Sequence, residues 1–347
     1  MFEIQGKKIG FGQKPFIIAE MSGNHNGSLD RALTLVDAAA DAGADAVKLQ
    51  TFTADTITLD VKTDEFVISD ENSLWYGRSL YELYKEAATP WEWHSEILDH
   101  AFKRGLICFS SPFDNSSVDF LESLGVSAYK IASAEIIDHG LITRVAETGK
   151  PIIISTGMAT LNEISEAVAV AHAAGNQNIA LLQCTASYPA SPKNSNILTI
   201  PNMREIFNCE VGLSDHTMGV GAAVGAVALG ATIVEKHFTL RRADGGIDSA
   251  FSLEPNELEQ LVVETERASL ALGSVFYGPT KSEIAGLMFR RSLYVCEDIK
   301  AGEEFSELNV RSIRPGFGLH PKYLKTVLGR NAKCNLTKGT PLSFDLI

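Results

Sequence analysis

Between Phe16 and about Gly273 the chain repeats one pattern, a short run of β-branched and other apolar residues followed by a helix-length amphipathic stretch. Alternation of this kind builds parallel strands joined by helical crossovers, because a parallel neighbour is reached only by carrying the chain back across a face of the sheet. The candidate strands are FIIAE ending at Glu20, AVKLQ at Gln50, LICFSS at Ser111, AYKIAS at Ser133, PIIIST at Thr156, IALLQC at Cys184, EVGLSD at Asp215 and TIVEKHFT at Thr239. About eight such strands close a (β/α)8 TIM barrel. A flavodoxin-like open sheet is the alternative, and it normally uses fewer strands.

Helix-like segments such as SLDRALTLVDAAADAG, TLNEISEAVAVAHAAG and PNELEQLVVETERASLALG separate the strands, several ending at a glycine suited to cap a helix C-terminus. The insertion from Thr53 to about Ala88, with LWYGRSLYELY, is long for a connection after a strand. Such loops lie on the catalytic face of a barrel, so this one is expected to be a substrate lid. Past Gly273 the texture turns polar, and from Arg291 it becomes short strands and turns. The expected division is a barrel over 1–278, a linker over 279–290 and a small β-rich domain over 291–347. Within the tail, DIKAGEEFSELNV (Asp298–Val310) and NLTKGTPLSFDLI (Asn335–Ile347) align without a gap and share Gly302/Gly339 and Ser306/Ser343, which predicts two similar halves.

Composition narrows the function classes. The 347 residues are 45% hydrophobic, enough to bury a large core, and 30 Lys and Arg against 43 Asp and Glu leave a net charge of −13. With no basic run, nucleic acid is not expected as a partner, and positive charge for an anionic substrate must be placed locally. No apolar stretch approaches the roughly 18 residues that span a bilayer, and MFEIQGKKIG lacks the apolar core of a leader, so a soluble, cytoplasmic protein is expected, with no membrane partner. Five scattered cysteines without CxxC spacing argue against a disulfide framework or a thiolate metal site.

A barrel of this kind draws its catalytic groups from the C-terminal ends of its strands. Those ends carry Glu20, Lys48, Gln50, Lys130, Ser133, Ser155, Thr156, Ser214, Asp215, His216, Glu235 and His237, in strands otherwise apolar. Two lysines with several hydroxyls make a site for a compact anion such as phosphate or carboxylate. Either lysine taken alone is equally well a structural ion pair with a nearby Glu. His216 and His237, with Glu20 on the strand that closes the ring, suit a divalent ion of the Mn²⁺, Mg²⁺ or Co²⁺ kind; a lone His at such a place is more often structural. His25, in the turn SGNHNG, is explained as well by turn chemistry as by a ligand. A barrel lysine such as Lys130 also permits Schiff-base chemistry with a keto acid. A third reading, a non-catalytic sugar- or ice-binding protein built on the tail, meets a barrel mouth too charged for inert scaffold and a tail without a regular Thr array.

As an ordered set, FIIAEMSGNHNG, DAVKLQTF, AYKIASAEI, PIIISTGMA, GLSDHTMG, EKHFTL and IRPGFG resemble the sialic-acid synthase family over nearly the whole chain. The stretches LWYGRSLYELYKEA, DSAFSLEP and RSIRPGFGLHPKYL resemble its pseudaminic branch more than the N-acetylneuraminate or legionaminate branches. The resemblance implies a barrel followed by a small antifreeze-like (SAF) domain, in a domain-swapped homodimer that condenses phosphoenolpyruvate with an amino-sugar aldehyde. It implies His216 and His237 as metal ligands, Glu20 as catalytic carboxylate, and Lys48, Lys130, Ser133, Ser155 and Ser214 as the phosphoenolpyruvate clamp. Gln50, Tyr188 and Asp248 fall where the family contacts sugar or intermediate, and Arg314 matches an arginine that reaches the sugar across the dimer. One departure stands out: Ala186, in QCTASYP, occupies the place of an Asn in sialic-acid-forming members, which favours a sugar with different polar groups.

Overall fold

The computed structural model describes residues 2–347, and its first element is a hairpin that the sequence pattern does not announce, β1 (Phe2–Ile4) and β2 (Lys7–Ile9). Its two-residue turn holds Gln5 and Gly6 at φ 47° and 77°, the left-handed pair that matches the twist of a tight hairpin. The eight expected strands follow: β3 (Phe16–Glu20), β4 (Ala46–Thr51), β5 (Ile107–Pro112), β6 (Tyr129–Ile131), β7 (Ile152–Ser155), β8 (Ile179–Cys184), β9 (Glu210–Asp215) and β10 (Ile233–His237). They pair in parallel in chain order, and β10 returns to β3 with His237 beside Glu20, closing the barrel.

Strand parity explains both the core and the site. Positions of one parity point into the barrel, and near the strand starts these are Ile18, Ala46, Phe109, Ala128, Ile153, Leu182 and Ile233, packed with Phe2, Ile4 and Ile9 of the hairpin. The hairpin thus supplies apolar side chains to the inner core. Two residues further along the same parity, the chain places Glu20, Lys48, Ser111, Lys130, Ser155, Cys184 and Glu235. Each inner stripe therefore runs from apolar to polar towards the C-terminal end, and Gln50 and His237 extend two of them by one more step. The opposite parity, with Ile17, Ala19, Val47, Leu49, Cys108, Tyr129, Ile131, Ile152 and Ile154, packs under the surrounding helices.

Those helices start and stop where local chemistry directs. Ser28 accepts the amide of Arg31 at 3.2 Å ahead of the helix Leu29–Asp41, and Thr160 with Glu163 forms a reciprocal capping box ahead of Leu161–Ala173. Between β4 and the helix His94–Lys103, the expected lid folds as two short helices, Ala54–Ile57 and Leu80–Ala87, with Val67 bridged to Ser79 between them. No helix among the described residues is long and apolar enough to cross a membrane.

Contacts divide the chain into a unit ending at Gly273 and a second unit, Ser274–Ile347. In the second, β11 (Ser292–Val295) pairs antiparallel with β12 (Val310–Ile313) over a core of Leu293, Ile299, Phe305, Val310, Leu336 and Leu342. The two halves seen in the sequence are two halves of the structure. Ile299 and Leu336 exchange both backbone hydrogen bonds at 2.8 Å. The bonds from Gly302 to Ala332 (2.7 Å) and from Phe305 to Arg330 (2.8 Å) have equivalents from Gly339 to Val295 (2.8 Å) and from Leu342 to Leu293 (3.0 Å). Gly302 and Gly339 occupy matching turns at φ 85° and 90°, a conformation that a Cβ would strain.

Candidate active site

At the C-terminal end of the barrel, Lys48 Nζ lies 3.0 Å from Glu20 Oε2 and 3.2 Å from Glu235 Oε1, and donates to Ser111 Oγ at 3.2 Å. Lys130 Nζ donates to Ser155 Oγ at 2.6 Å and lies 3.8 Å from the same Glu235 oxygen, to which Ser214 Oγ donates at 3.4 Å. Glu20, Lys48, Lys130, Ser155, Ser214 and Glu235 are all buried. Glu235 is the hub of this network, placed by β10 at the same parity as His237. It stood among the strand-end residues at the sequence level but without a role, and parity was the signal that would have given it one; Ser111, named there only as the end of its strand, was missed, and the same parity would have added it.

The charges set one another. Burial pushes Glu20 up to about 7, with Lys48 opposing and Glu235 adding to the rise. Burial also acts on Glu235, but Lys130 and Lys48 outweigh it and hold that carboxylate below its ordinary range. Burial lowers Lys130, while for Lys48 the attraction of Glu20 and Glu235 overcomes burial and raises it. The site thus sets two lysines against one carboxylate held below its ordinary range and one raised to about 7, with buried hydroxyls around them. A compact polyanion can replace the carboxylates as the lysines' partner.

Beside this network lies an aromatic layer. The His216 and His237 rings are 5.2 Å apart, Tyr188 sits 4.4 Å from His216, and Phe251 lies 4.9 Å from His237. His216 Nδ1 engages the Thr185 carbonyl at 2.9 Å, which orients the ring and frees its other nitrogen. Burial, with His216 and the nearby lysines adding to it, pushes His237 well below its ordinary pKa. Its Nδ1 is buried without a hydrogen bond, with Asp248 Oδ2 3.9 Å away. Two imidazoles, one carrying an orphaned nitrogen, fit a divalent cation that keeps positions open for substrate. Among the described residues no three His, Cys, Asp or Glu side chains converge as a metal-holding group. Glu20, which the sequence grouped with the imidazoles, is engaged by Lys48 and by Gln50 Nε2 at 3.0 Å.

The other expected residues divide between the rim of this centre and positions away from it. Gln50 also donates to Ser22 Oγ at 3.1 Å, and Ser22 donates to buried Asp248, so these polar groups form one rim. Ser133 lies just past β6 and accepts the Gly157 amide at 3.1 Å; a Cβ at Gly157 would stand 2.7 Å from that hydroxyl and 3.2 Å from the Ala186 methyl. Thr156 turns away and donates to the Leu182 carbonyl at 3.1 Å. Asp215 also leaves the site: of the opposite parity to Ser214, it pairs with Lys236 at 2.8 Å. His25 is buried edge-on to Trp93 at 5.6 Å, and burial lowers its pKa to about 4, consistent with a structural imidazole. Arg314 belongs to the second unit, where it follows β12 and is exposed.

Comparison with known proteins finds matches for both units of the chain. Residues 35–277 match the NeuB family and residues 290–347 the SAF domain. The chain is 44% identical to pseudaminic acid synthase of Campylobacter jejuni, covering 95% of this chain and 96% of that one. It is 43% identical to the pseudaminic acid synthase of Helicobacter pylori, covering 96% and 98%. The crystal structure of N-acetylneuraminic acid (sialic acid) synthetase from Leptospira borgpetersenii, in complex with citrate, superposes with a TM-score of 0.72 at 34% identity, covering 82% of this chain and 94% of that one. With a closed eight-stranded barrel and a tail that matches the SAF domain, the chain belongs to the NeuB family, the sialic-acid synthases that its motifs resemble.

Proposed function

We propose that the chain condenses phosphoenolpyruvate with 2,4-diacetamido-2,4,6-trideoxy-L-altrose, giving pseudaminic acid and inorganic phosphate. The observation that carries this reading is the pair of buried lysines, Lys48 and Lys130, bound to serine hydroxyls and Glu235 beside the imidazoles of His216 and His237. An anion clamp next to an aldehyde site is what the reaction needs: it holds the enol phosphate so that its methylene carbon faces the carbonyl carbon of the sugar. Similarity to the Campylobacter and Helicobacter synthases and the Ala186 methyl at the rim support the choice of sugar.

In this mechanism Lys48, Lys130, Ser133, Ser155 and Ser214 bind the phosphate and carboxylate of phosphoenolpyruvate, and Gln50, Tyr188 and Asp248 orient the open-chain sugar. A divalent cation held by His216 and His237 would draw charge from the aldehyde oxygen. The enol π pair bonds the methylene carbon to the aldehyde carbon as the carbonyl π bond opens onto its oxygen, which takes a proton from solvent to become the product hydroxyl. An oxocarbenium centre is left at the former enol carbon. Water adds there, Glu20 takes its proton, and the tetrahedral adduct breaks its C–O bond to release phosphate. The chain works in the cytoplasm as a domain-swapped homodimer, in which Arg314 of one subunit reaches the sugar of the other.

Purified protein given phosphoenolpyruvate, Mn²⁺ and the trideoxy sugar should release phosphate and form a product of the condensed mass, and a chelator should stop it. Release with N-acetylmannosamine alone would move the chain to the N-acetylneuraminate branch. Chelator-resistant turnover with a borohydride-trapped pyruvate adduct on Lys130 would replace the mechanism altogether.

A further inference from the structure

We infer that Trp75, carried on the long segment between β4 and the helix His94–Lys103, reads the far end of the sugar and selects a methyl-bearing C6 over a hydroxymethyl group. This rests on the reading of the site given above, and it gives that segment a task beyond covering the mouth.

The rings lie in order outward from the chemistry. Tyr188 lies 4.4 Å from His216 and 5.3 Å from Phe251, and the Trp75 indole lies 5.7 Å from Tyr188. A sugar whose aldehyde carbon lies at the imidazoles has C6 as its most distant carbon, so that end enters the layer formed by Tyr188 and Trp75. The indole brings no free polar group there. Its single N–H donates to the Ile247 carbonyl at 3.1 Å, and indole has no acceptor. The turn that presents it is also built: Ile68 accepts from Gly77 at 2.8 Å and donates to Arg78 at 3.0 Å, while Trp75 N donates to Ser73 Oγ at 3.2 Å. A C6 hydroxyl against this face loses hydrogen bonds to water without replacement, whereas a methyl group does not. A single apolar contact of this size discriminates by about tenfold or more.

The test is kcat/KM with saturating phosphoenolpyruvate for 2,4-diacetamido-2,4,6-trideoxy-L-altrose and for its counterpart hydroxylated at C6. Wild type should prefer the deoxy sugar by about tenfold or more. Trp75→Ala should bring the ratio within about threefold by raising KM for the deoxy sugar, Trp75→Gln should narrow it further, and Trp75→Phe should retain most of it, all with the KM for phosphoenolpyruvate unmoved. Equal losses on both sugars in the Ala and Gln variants would mean that Trp75 only anchors its loop, and would overturn the inference. N-acetylmannosamine and its 6-deoxy analogue, run in parallel, separate this claim from the branch assignment. An enzyme that uses only the mannosamine pair has lost the branch, but the Trp75→Ala ratio across that pair still decides: narrowing supports the inference and equal loss overturns it.

Discussion

Two buried carboxylates on neighbouring strands, Glu20 and Glu235, meet the same Lys48 and differ in state because Glu235 also faces Lys130. If Glu20 accepts the proton of the attacking water it must be ionised, and a carboxyl raised to about 7 gains charge as pH rises through that value. The turnover rate should therefore climb through pH 7 and level off above it. Glu20→Gln should remove that limb and lower kcat by about two orders of magnitude or more while both substrates still bind. A pH–rate profile of the two proteins decides this, since titration of the phosphate would leave the limb in place in the variant. Glu235 predicts a different result. Removing one partner of a buried charge network costs about 3–5 kcal/mol, so Glu235→Ala should lower the unfolding midpoint. An anion bound between the lysines takes the place of the missing charge, so inorganic phosphate should stabilise the variant more than wild type in thermal melts. Equal stabilisation would remove Glu235 from the clamp.

For strands, direction matters as much as position. β9 ends in Ser214 and Asp215, adjacent polar residues that the sequence placed in one site, yet only Ser214 points into the barrel. Asp215 meets Lys236, 1% exposed, whose ammonium also donates to the carbonyls of Thr217 (2.6 Å) and Gly219 (2.9 Å). This lysine pins the loop that carries His216. Lys236→Ala would leave Asp215 buried without its cation and should cost about 3–5 kcal/mol, read as a lower denaturation midpoint. The paired change Lys236→Met with Asp215→Asn should recover much of that loss. A Lys236→Ala protein as stable as wild type would show that the carbonyl contacts and the ion pair add nothing. The eight barrel strands were legible as elements because each is a short apolar run between helical patterns. The hairpin β1–β2 was not, because three-residue strands carry too little periodicity to register.

In the whole molecule, the proposed reach of Arg314 across a dimer is open to a mixing experiment. Arg314→Ala should weaken sugar binding by about 1–3 kcal/mol without loss of the dimer, and Glu20→Gln should be nearly inactive. If Arg314 serves the partner's barrel, co-refolded subunits of the two variants should recover about a quarter of wild-type activity at low sugar concentration, because half-native dimers gain one intact site. Mixed protein no more active than the separate variants would place Arg314 in its own subunit's chemistry or in none. The chain order of strands and the pseudo-repeat of the tail were already determined by the sequence, since period, punctuation and the paired Gly302 and Gly339 act locally. So were the inner residues Lys48, Gln50 and Lys130, which share a parity with the apolar stripe beneath them. Only the tertiary structure decided that Glu235 joins both lysines, that Glu20 turns to Lys48 and Gln50, and that Trp75 meets Tyr188. Those contacts join residues brought together by barrel closure and loop folding, and the partner a buried charge or ring finds across such distances is set by packing and desolvation rather than by local sequence.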